Sequence, residues 1–263
     1  LVDTCGTGGS GIGIFNVSTA SAFVASQCGA KVAKHGNRSA TRSSGSADLL
    51  EQAGVPLTLK PTEVADCIKN IGLGFMFAPA HHSAMKHVVG PRKEIAQKSI
   101  FNVLGPLTNP ASAKRQVMGV YDKKWMRPIT DVLKELGSEH TMIIHSEDGL
   151  DEISIASPTF VIEMKDGDIS EYTINPEDFN FKTSTLNGLR VNSPEESLNL
   201  VKLALGDKHQ EASSMISMAA GAALYVSEVS SSLEAGIILA NECVKDGGGI
   251  EKLNQLVEYS SKF

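Results

Sequence analysis

Gly6, Gly8, Gly9, Gly11 and Gly13 crowd the stretch CGTGGSGIG, and Asn16, Ser18 and Thr19 follow at once. Glycine loses more backbone freedom on folding than any other residue. Such density marks chain that must turn through positive φ or lie close against a ligand. The apolar Leu1-Val2 before the run and the apolar helix pattern after it argue against a flexible linker. Gly6, Gly8 and Gly11 fit G-x-G-x-x-G, but a dinucleotide site also wants an acidic residue about 20 positions further on. None occurs between Asp3 and Asp48, and no Gly-Lys-Ser/Thr of a Walker loop follows. That acid-free interval, in a chain with 30 Asp and Glu against 24 Lys and Arg, holds Lys31, Lys34, Arg38 and Arg42. Loop N–H groups, a helix opened by Asn16, Ser18 and Thr19, and the basic, hydroxyl-rich KHGNRSATRSSGSAD together suit a ligand with more than one phosphate. Helix capping alone would explain the hydroxyls, but neither the glycines nor the missing acids.

Three further groups can carry chemistry. Asp151-Glu152 sits in a loop after a strand pattern, where hard-cation ligands are often placed, although adjacent loop acids are commonly just solvated. His81 and His82 lie in a helical pattern, where neighbouring side chains diverge and no third ligand is evident, so zinc is not implied. Arg92 follows a helix break at Gly90-Pro91 and has the planar fork that grips a carboxylate, yet by itself reads as a surface arginine.

Strand and helix patterns alternate through most of the chain, which calls for an α/β fold with a largely parallel sheet covered by helices. Strand patterns fall at 1–5, 30–34, 72–79, QVMGVY and EHTMIIHS, and residues 99–111 read as a strand tip running into a loop. FVIEMKDGDISEYTI is a β-hairpin turned at Asp166-Gly167. Helix patterns fall at 18–28, at 44–54 behind a serine cap, at 80–96, over KWMRPITDVLKELG, and through the last stretch from Ser193. The 263 residues allow one large α/β domain, or one domain plus a small satellite. The net charge of −6 disfavours a dedicated nucleic-acid or membrane-surface binder. No apolar run approaches the roughly 20 residues of a bilayer span. Cys5, Cys28, Cys67 and Cys243 are scattered without C-x-x-C, which fits a reducing cytoplasm. Catalytic loops seldom sit at a true N-terminus, so further chain is expected before Leu1.

Taken in order, GTGGS, NVSTAS, KHGNRS, SGSAD, HHSAMK with PRKE, IFNVLGPLTNPA and GLDEIS resemble the anthranilate phosphoribosyltransferase family. The likeness runs over about the first 155 residues by motif and beyond them by pattern. It implies a mixed, largely parallel central sheet flanked by helices, residues 1–263 forming the large α/β domain. Residues 80–97 would belong to a small helical domain, mostly preceding residue 1, through which the full-length protein forms a homodimer. The implied reaction moves the phosphoribosyl group of phosphoribosyl pyrophosphate onto the amine of anthranilate, with Mg2+, in tryptophan biosynthesis. Gly6, Thr7, Gly9, Ser10, Asn16, Ser18, Thr19, Lys34, His35, Gly36, Asn37, Arg38 and Ser46 would hold the pyrophosphate and ribose. Gly6, Asn37, His82 and Arg92 would meet anthranilate, and Ser18, Asp151 and Glu152 the metal. His35 and Arg92 are the expected catalytic groups, with neither nucleic acid nor membrane as partner.

The sequence departs from the family pattern in four places. Ser10 stands for the usual Asp, Ile14 for a Ser or Thr, Ser83 for a Pro and Lys98 for an Arg. Losing the carboxylate at position 10 implies altered metal dependence with the chemistry retained. A pyrimidine nucleoside phosphorylase is the nearest rival, disfavoured by His35-Gly36-Asn37 and by LGPLTNPA. A non-catalytic nucleic-acid binder is disfavoured by the charge and by Asp151-Glu152.

Overall fold

A computed structural model describes residues 1–39, 43–82 and 101–263, with the side chains of residues 101 and 102 left aside. Seven strands form one sheet in the order β3-β2-β1-β4-β5-β6-β7. They are β1 (Val2–Gly6), β2 (Val32–Gly36), β3 (Leu73–Phe77), β4 (Arg115–Gly119), β5 (His140–Ser146), β6 (Thr159–Lys165) and β7 (Asp168–Ile174). The first five run parallel and the last two add as an antiparallel hairpin, so the sheet is mixed and largely parallel. Register pairs Gly6 with Gly119, Gly36 with Phe77 and Gly119 with Ile144. The carboxyl ends of the parallel strands therefore line one edge of the sheet, where ligands of open α/β sheets bind.

Helices cover the sheet: α1 (Val17–Gln27), α2 (Ser46–Gln52), α3 (Pro61–Ile71), the single turn α4 (Ala78–His81), the short α5 (Phe101–Leu104), α6 (Met126–Glu135), α7 (Pro194–Leu205), α8 (Gln210–Val226), α9 (Leu233–Lys245) and α10 (Gly248–Ser260). Nine of the eleven residues of α1 are buried, which explains its apolar composition on every face. Phe15, Phe23, Leu49, Met142 and Ile144 sit in one core with α1 and α8, while Met118, Ile129, Leu133 and Ile143 form a smaller core under α6. Among the described residues no helix is long and apolar enough to cross a membrane.

Local chemistry accounts for where these elements depart from the sequence pattern. The 44–54 helix begins at Ser46 with Gly45 at its cap; Asp48 Oδ2 reaches back to accept from Gly45 N at 2.8 Å and Ser39 N at 2.9 Å, so the cap is the carboxylate and not a serine. Where the expected strand tip at 99–111 enters the described residues, at 101, it is helical instead, as α5 followed by a 3-10 turn at Gly105–Leu107. Thr108 Oγ1 donates to the Gly105 carbonyl at 3.0 Å and Asn109 Oδ1 accepts from Ala111 N at 2.9 Å, side-chain bonds that close a turn where the apolar run suggested a strand. Helix α3 has its own signals, Pro61 in its first turn, Glu63 bonded back to Lys60 N at 2.7 Å and a left-handed Gly72 at its end. Of the expected helix at 80–96, Ala80 and His81 end the turn α4; its remainder beyond His82, like most of the 80–97 satellite segment, lies outside the described residues. The hairpin turns at Asp166-Gly167, with φ of 51° and 89°.

Candidate active site

The glycine loop leaves the end of β1 and hands the chain to α1. Gly8, Gly9 and Gly11 take φ of 64°, 83° and 76°, the left-handed region that a side chain strains. Thr7 N donates to the Gly119 carbonyl at 2.9 Å, and Tyr121 N donates to Thr7 Oγ1 at 3.1 Å, which pins the loop to the end of β4. Gly8 N donates to Asp151 Oδ2 at 3.1 Å. A β-carbon at Gly6 would lie 2.9 Å from that same oxygen. The carboxylate at 151 and the glycine loop, 143 positions apart, are thus in direct contact. Asp151 is 2% exposed and Glu152 8%, so these acids are buried beside the loop and not solvated.

Asn16 is the residue before α1, but its side chain does not cap the helix. Its Oδ1 accepts from Ser44 Oγ and Ser197 Oγ, both at 2.7 Å, and its Nδ2 donates to the Ser44 carbonyl at 3.3 Å. This knot ties the glycine loop to the 43–46 turn and to α7. Among the described residues the buried Thr19 hydroxyl, in the first turn of α1, has no hydrogen-bond partner.

Lys34 is buried at 3% exposure, with its Nζ donating to the Thr4 carbonyl at 2.5 Å and the Ser18 carbonyl at 3.3 Å. Burial pushes its pKa down against the pull of Asp3, Cys5 and Glu152. The ammonium braces β1 against the start of α1. Arg38 turns the other way: its guanidinium pairs with Glu51 at 2.6 and 2.8 Å and with Asp48 at 3.1 Å on α2. Asn37 accepts through its carbonyl from Ala47 N at 3.2 Å and Ser46 Oγ at 3.3 Å, so the KHGNR turn rests on the N-terminus of α2. Gly36 is required by packing, because a β-carbon there would run into Ser46 Oγ and lie 3.0 Å from Phe75.

His35 Nε2 and His82 Nε2 are 3.2 Å apart, which joins the end of β2 to the turn α4. Burial first, then His82, His81 and Lys34, lower the His35 pKa to about 4, so its ring is neutral at neutral pH. Ser10 Oγ accepts from Ile12 N at 3.4 Å within the loop. Ser18 sits at the second position of α1, with its carbonyl engaged by Lys34 and Thr4. Arg92 lies outside the described residues.

Two anchors escaped the sequence reading. Asp3 is fully buried in β1; its Oδ1 accepts from His35 N at 3.2 Å and its Oδ2 from Asn109 Nδ2 at 2.8 Å. Asn109 Nδ2 also donates to the Ala33 carbonyl at 2.8 Å, so the LGPLTNPA stretch is bolted to the strands that carry the glycine loop and His35. Burial raises the Asp3 pKa, opposed mainly by Lys34 and the Asn109 hydrogen bond. The signal was an acid alone in an apolar strand. Ser197, buried in α7, was the second; a serine inside a helix pattern carried no hint that it reaches Asn16.

The chain is 55% identical, over all of its length and 77% of the relative's, to an anthranilate phosphoribosyltransferase of Ectopseudomonas mendocina. It belongs to the anthranilate phosphoribosyltransferase family. A relative of the same name from Marinomonas is also 55% identical over the whole chain. Residues 1–250 match the model of the glycosyl transferase family, a/b domain. The anthranilate phosphoribosyltransferase of Thermus thermophilus superposes with a TM-score of 0.93 at 38% identity, covering 99% of this chain and 78% of that one. That of Saccharomyces cerevisiae, in complex with PRPP and Mg, gives 0.89 at 29% identity, covering 100% and 74%. The α/β fold read from the sequence is the family's fold.

Proposed function

We infer that the protein transfers the phosphoribosyl group of phosphoribosyl pyrophosphate to the amine of anthranilate, yielding N-(5-phosphoribosyl)anthranilate and pyrophosphate. The observation that carries the reading is the contact of Asp151 with Gly8, a buried carboxylate with Glu152 next to it in the chain, set against a positive-φ loop at a helix N-terminus. In this reading the N–H groups of the loop and of the first turn of α1, with Gly6, Thr7, Gly9, Ser10, Asn16, Ser18 and Thr19 around them, receive the pyrophosphate. His35, Gly36, Asn37 and Ser46 flank the ribose, and Lys34 adds positive charge from below. Arg38 joins only by leaving Glu51.

Asp151, Glu152 and Ser18 offer hard oxygen ligands of the kind Mg2+ takes, and a buried pair of carboxylates fits a cation better than it fits solvent. Among the described residues no cluster of three or more metal-ligating side chains occurs, so an ion here would draw its remaining ligands from phosphate and water. When bound, it would neutralise the departing pyrophosphate. The chain's own part is positioning and charge. Loop amides and the α1 terminus gather negative charge as the C1–O bond breaks, and the amine attacks the oxocarbenium-like ribose from the side facing His35 and His82. Neutral His35 orients the pocket without repelling that cation, and Arg92 would pair with the anthranilate carboxylate.

The reading includes a homodimeric cytoplasmic enzyme, with residues 80–97 assigned to a small helical domain and with no nucleic-acid or membrane partner. The net charge of −6 supports the first of those exclusions. Loss of anthranilate fluorescence on adding phosphoribosyl pyrophosphate and Mg2+, with product confirmed by mass spectrometry, tests the reaction. Consumption of a pyrimidine nucleoside and phosphate in its place would overturn it.

A further inference from the structure

Folding brings together two cysteines 215 positions apart in the sequence. Cys28 closes the C-terminal end of α1, and Cys243 lies in the last turn of α9. Each thiol lies close enough to shift the other's pKa, and Cys28 Sγ lies 3.9 Å from the Leu239 carbonyl, one turn before Cys243. Gly248 allows the approach: a β-carbon there would stand 2.9 Å from Cys243 Sγ and 3.0 Å from the Gln27 side chain. Both cysteines are half-buried, beside an open hollow lined by Gln27, Glu251 and Lys252. The other two thiols are differently placed. Cys67 is fully buried, and Cys5 lies under the glycine loop accepting from Gln116 Nε2 at 3.1 Å.

We propose that Cys28 and Cys243 are a dithiol modification site, oxidised by peroxide to an intramolecular disulfide and returned by exchange with a small thiol. The proximity of Cys28, with Lys252 nearby, lowers the Cys243 pKa and makes it the attacking thiolate. Its sulfur takes one peroxide oxygen as the O–O bond breaks, giving a sulfenic acid and a hydroxide that is protonated to water. Cys28 sulfur then attacks that sulfur, the S–O bond breaks, and the proton of Cys28 leaves with the hydroxide as a second water. Two electrons pass from the sulfurs to the peroxide. Two glutathione-type thiols reverse the change and leave as their own disulfide. The site is independent of phosphoribosyl transfer. Its position matters all the same, because α1 is the helix whose other end forms the anion cradle.

Hydrogen peroxide treatment, iodoacetamide blocking and trypsin digestion without reduction, followed by mass spectrometry, test the pair. Two of the four thiols should resist alkylation, and the 1–31 peptide should appear joined to the 209–245 peptide, lighter by two hydrogens and separable by dithiothreitol. Because Cys5 shares the first peptide, Cys28→Ser assigns the bond: the link should vanish there and in Cys243→Ser. Fragment spectra of the wild-type pair locate the sulfurs even where a variant folds poorly. A link that survives in Cys28→Ser, one found only between two chains on a non-reducing gel, or thiols all still alkylable after peroxide would each overturn the proposal.

Discussion

Asn109→Ala should destabilise the protein out of proportion to a half-exposed loop residue. The amide is the shared partner of three groups: Asp3 Oδ2 and the Ala33 carbonyl, each 2.8 Å from Nδ2, and Ala111 N, 2.9 Å from Oδ1. A hydrogen bond to a buried charge is worth about 1.5–3 kcal/mol and a neutral bond about 1 kcal/mol. Asp3 has no exposure, so its stranded oxygen cannot turn to solvent. Together these give a loss of about 4 kcal/mol, a large share of the roughly 5–15 kcal/mol that holds a domain folded. Urea unfolding followed by circular dichroism measures it directly, and a fall in melting temperature of roughly 8–16 °C should accompany it. Asn109→Asp should fare no better, because its carboxylate would face that of Asp3 at hydrogen-bond distance. A loss below about 1 kcal/mol for the alanine variant would refute the argument that this contact anchors the loop.

Other outcomes follow from the same geometry. His35 has a folded pKa of about 4 against 6.5 for an ordinary histidine, so the folded chain binds fewer protons than the unfolded one between those values. Stability present above pH 6.5 should then fall as pH drops towards 4, by about 3 kcal/mol from this residue. Urea midpoints of His35→Asn should show a correspondingly flatter dependence, and parallel curves would remove the basis for a neutral ring. Gly36→Ala should cost about 1–3 kcal/mol by overpacking against Ser46, and adding Ser46→Ala should recover part of it in the same unfolding assay. Gly6→Ala presses on Asp151 and should lower kcat/KM about tenfold or more while leaving the circular dichroism spectrum unchanged. Ser10→Asp should shift the Mg2+ concentration needed for half-maximal rate; coincident titrations of variant and parent would end the claim of altered metal dependence.

Much of this architecture could be read in advance, for identifiable reasons. The glycine loop announced itself through residues chosen for backbone shape, and the hairpin through Asp166-Gly167, both signals confined to a few neighbouring positions. Alternating patterns likewise gave the parallel sheet. What escaped was long-range or decided by side-chain bonding. The contact of Asp151 with Gly8 joins positions 143 apart, and the burial that turns those acids from solvated to ligand-like exists only in the folded chain. The helix at 101–104 was masked by an apolar run that satisfies strand and helix alike until Thr108 and Asn109 close the turn. Arg38 was expected by type among the phosphate-binding residues, yet it pairs with Asp48, at the end of its own segment, and with Glu51 just beyond it.

The reversal of strand direction after β5 has a practical use. Strand β6 leads the chain away from the edge where Gly6, Gly36 and Gly119 end, so the tip between β6 and β7 hangs at the far margin, where Asp166 N is bonded to the Glu139 carbonyl at 2.8 Å. A fluorescent reporter or affinity handle spliced between Asp166 and Gly167 would dangle from the end of the molecule opposite its chemistry, which makes that tip a natural place to tether the enzyme to a surface without obstructing its mouth.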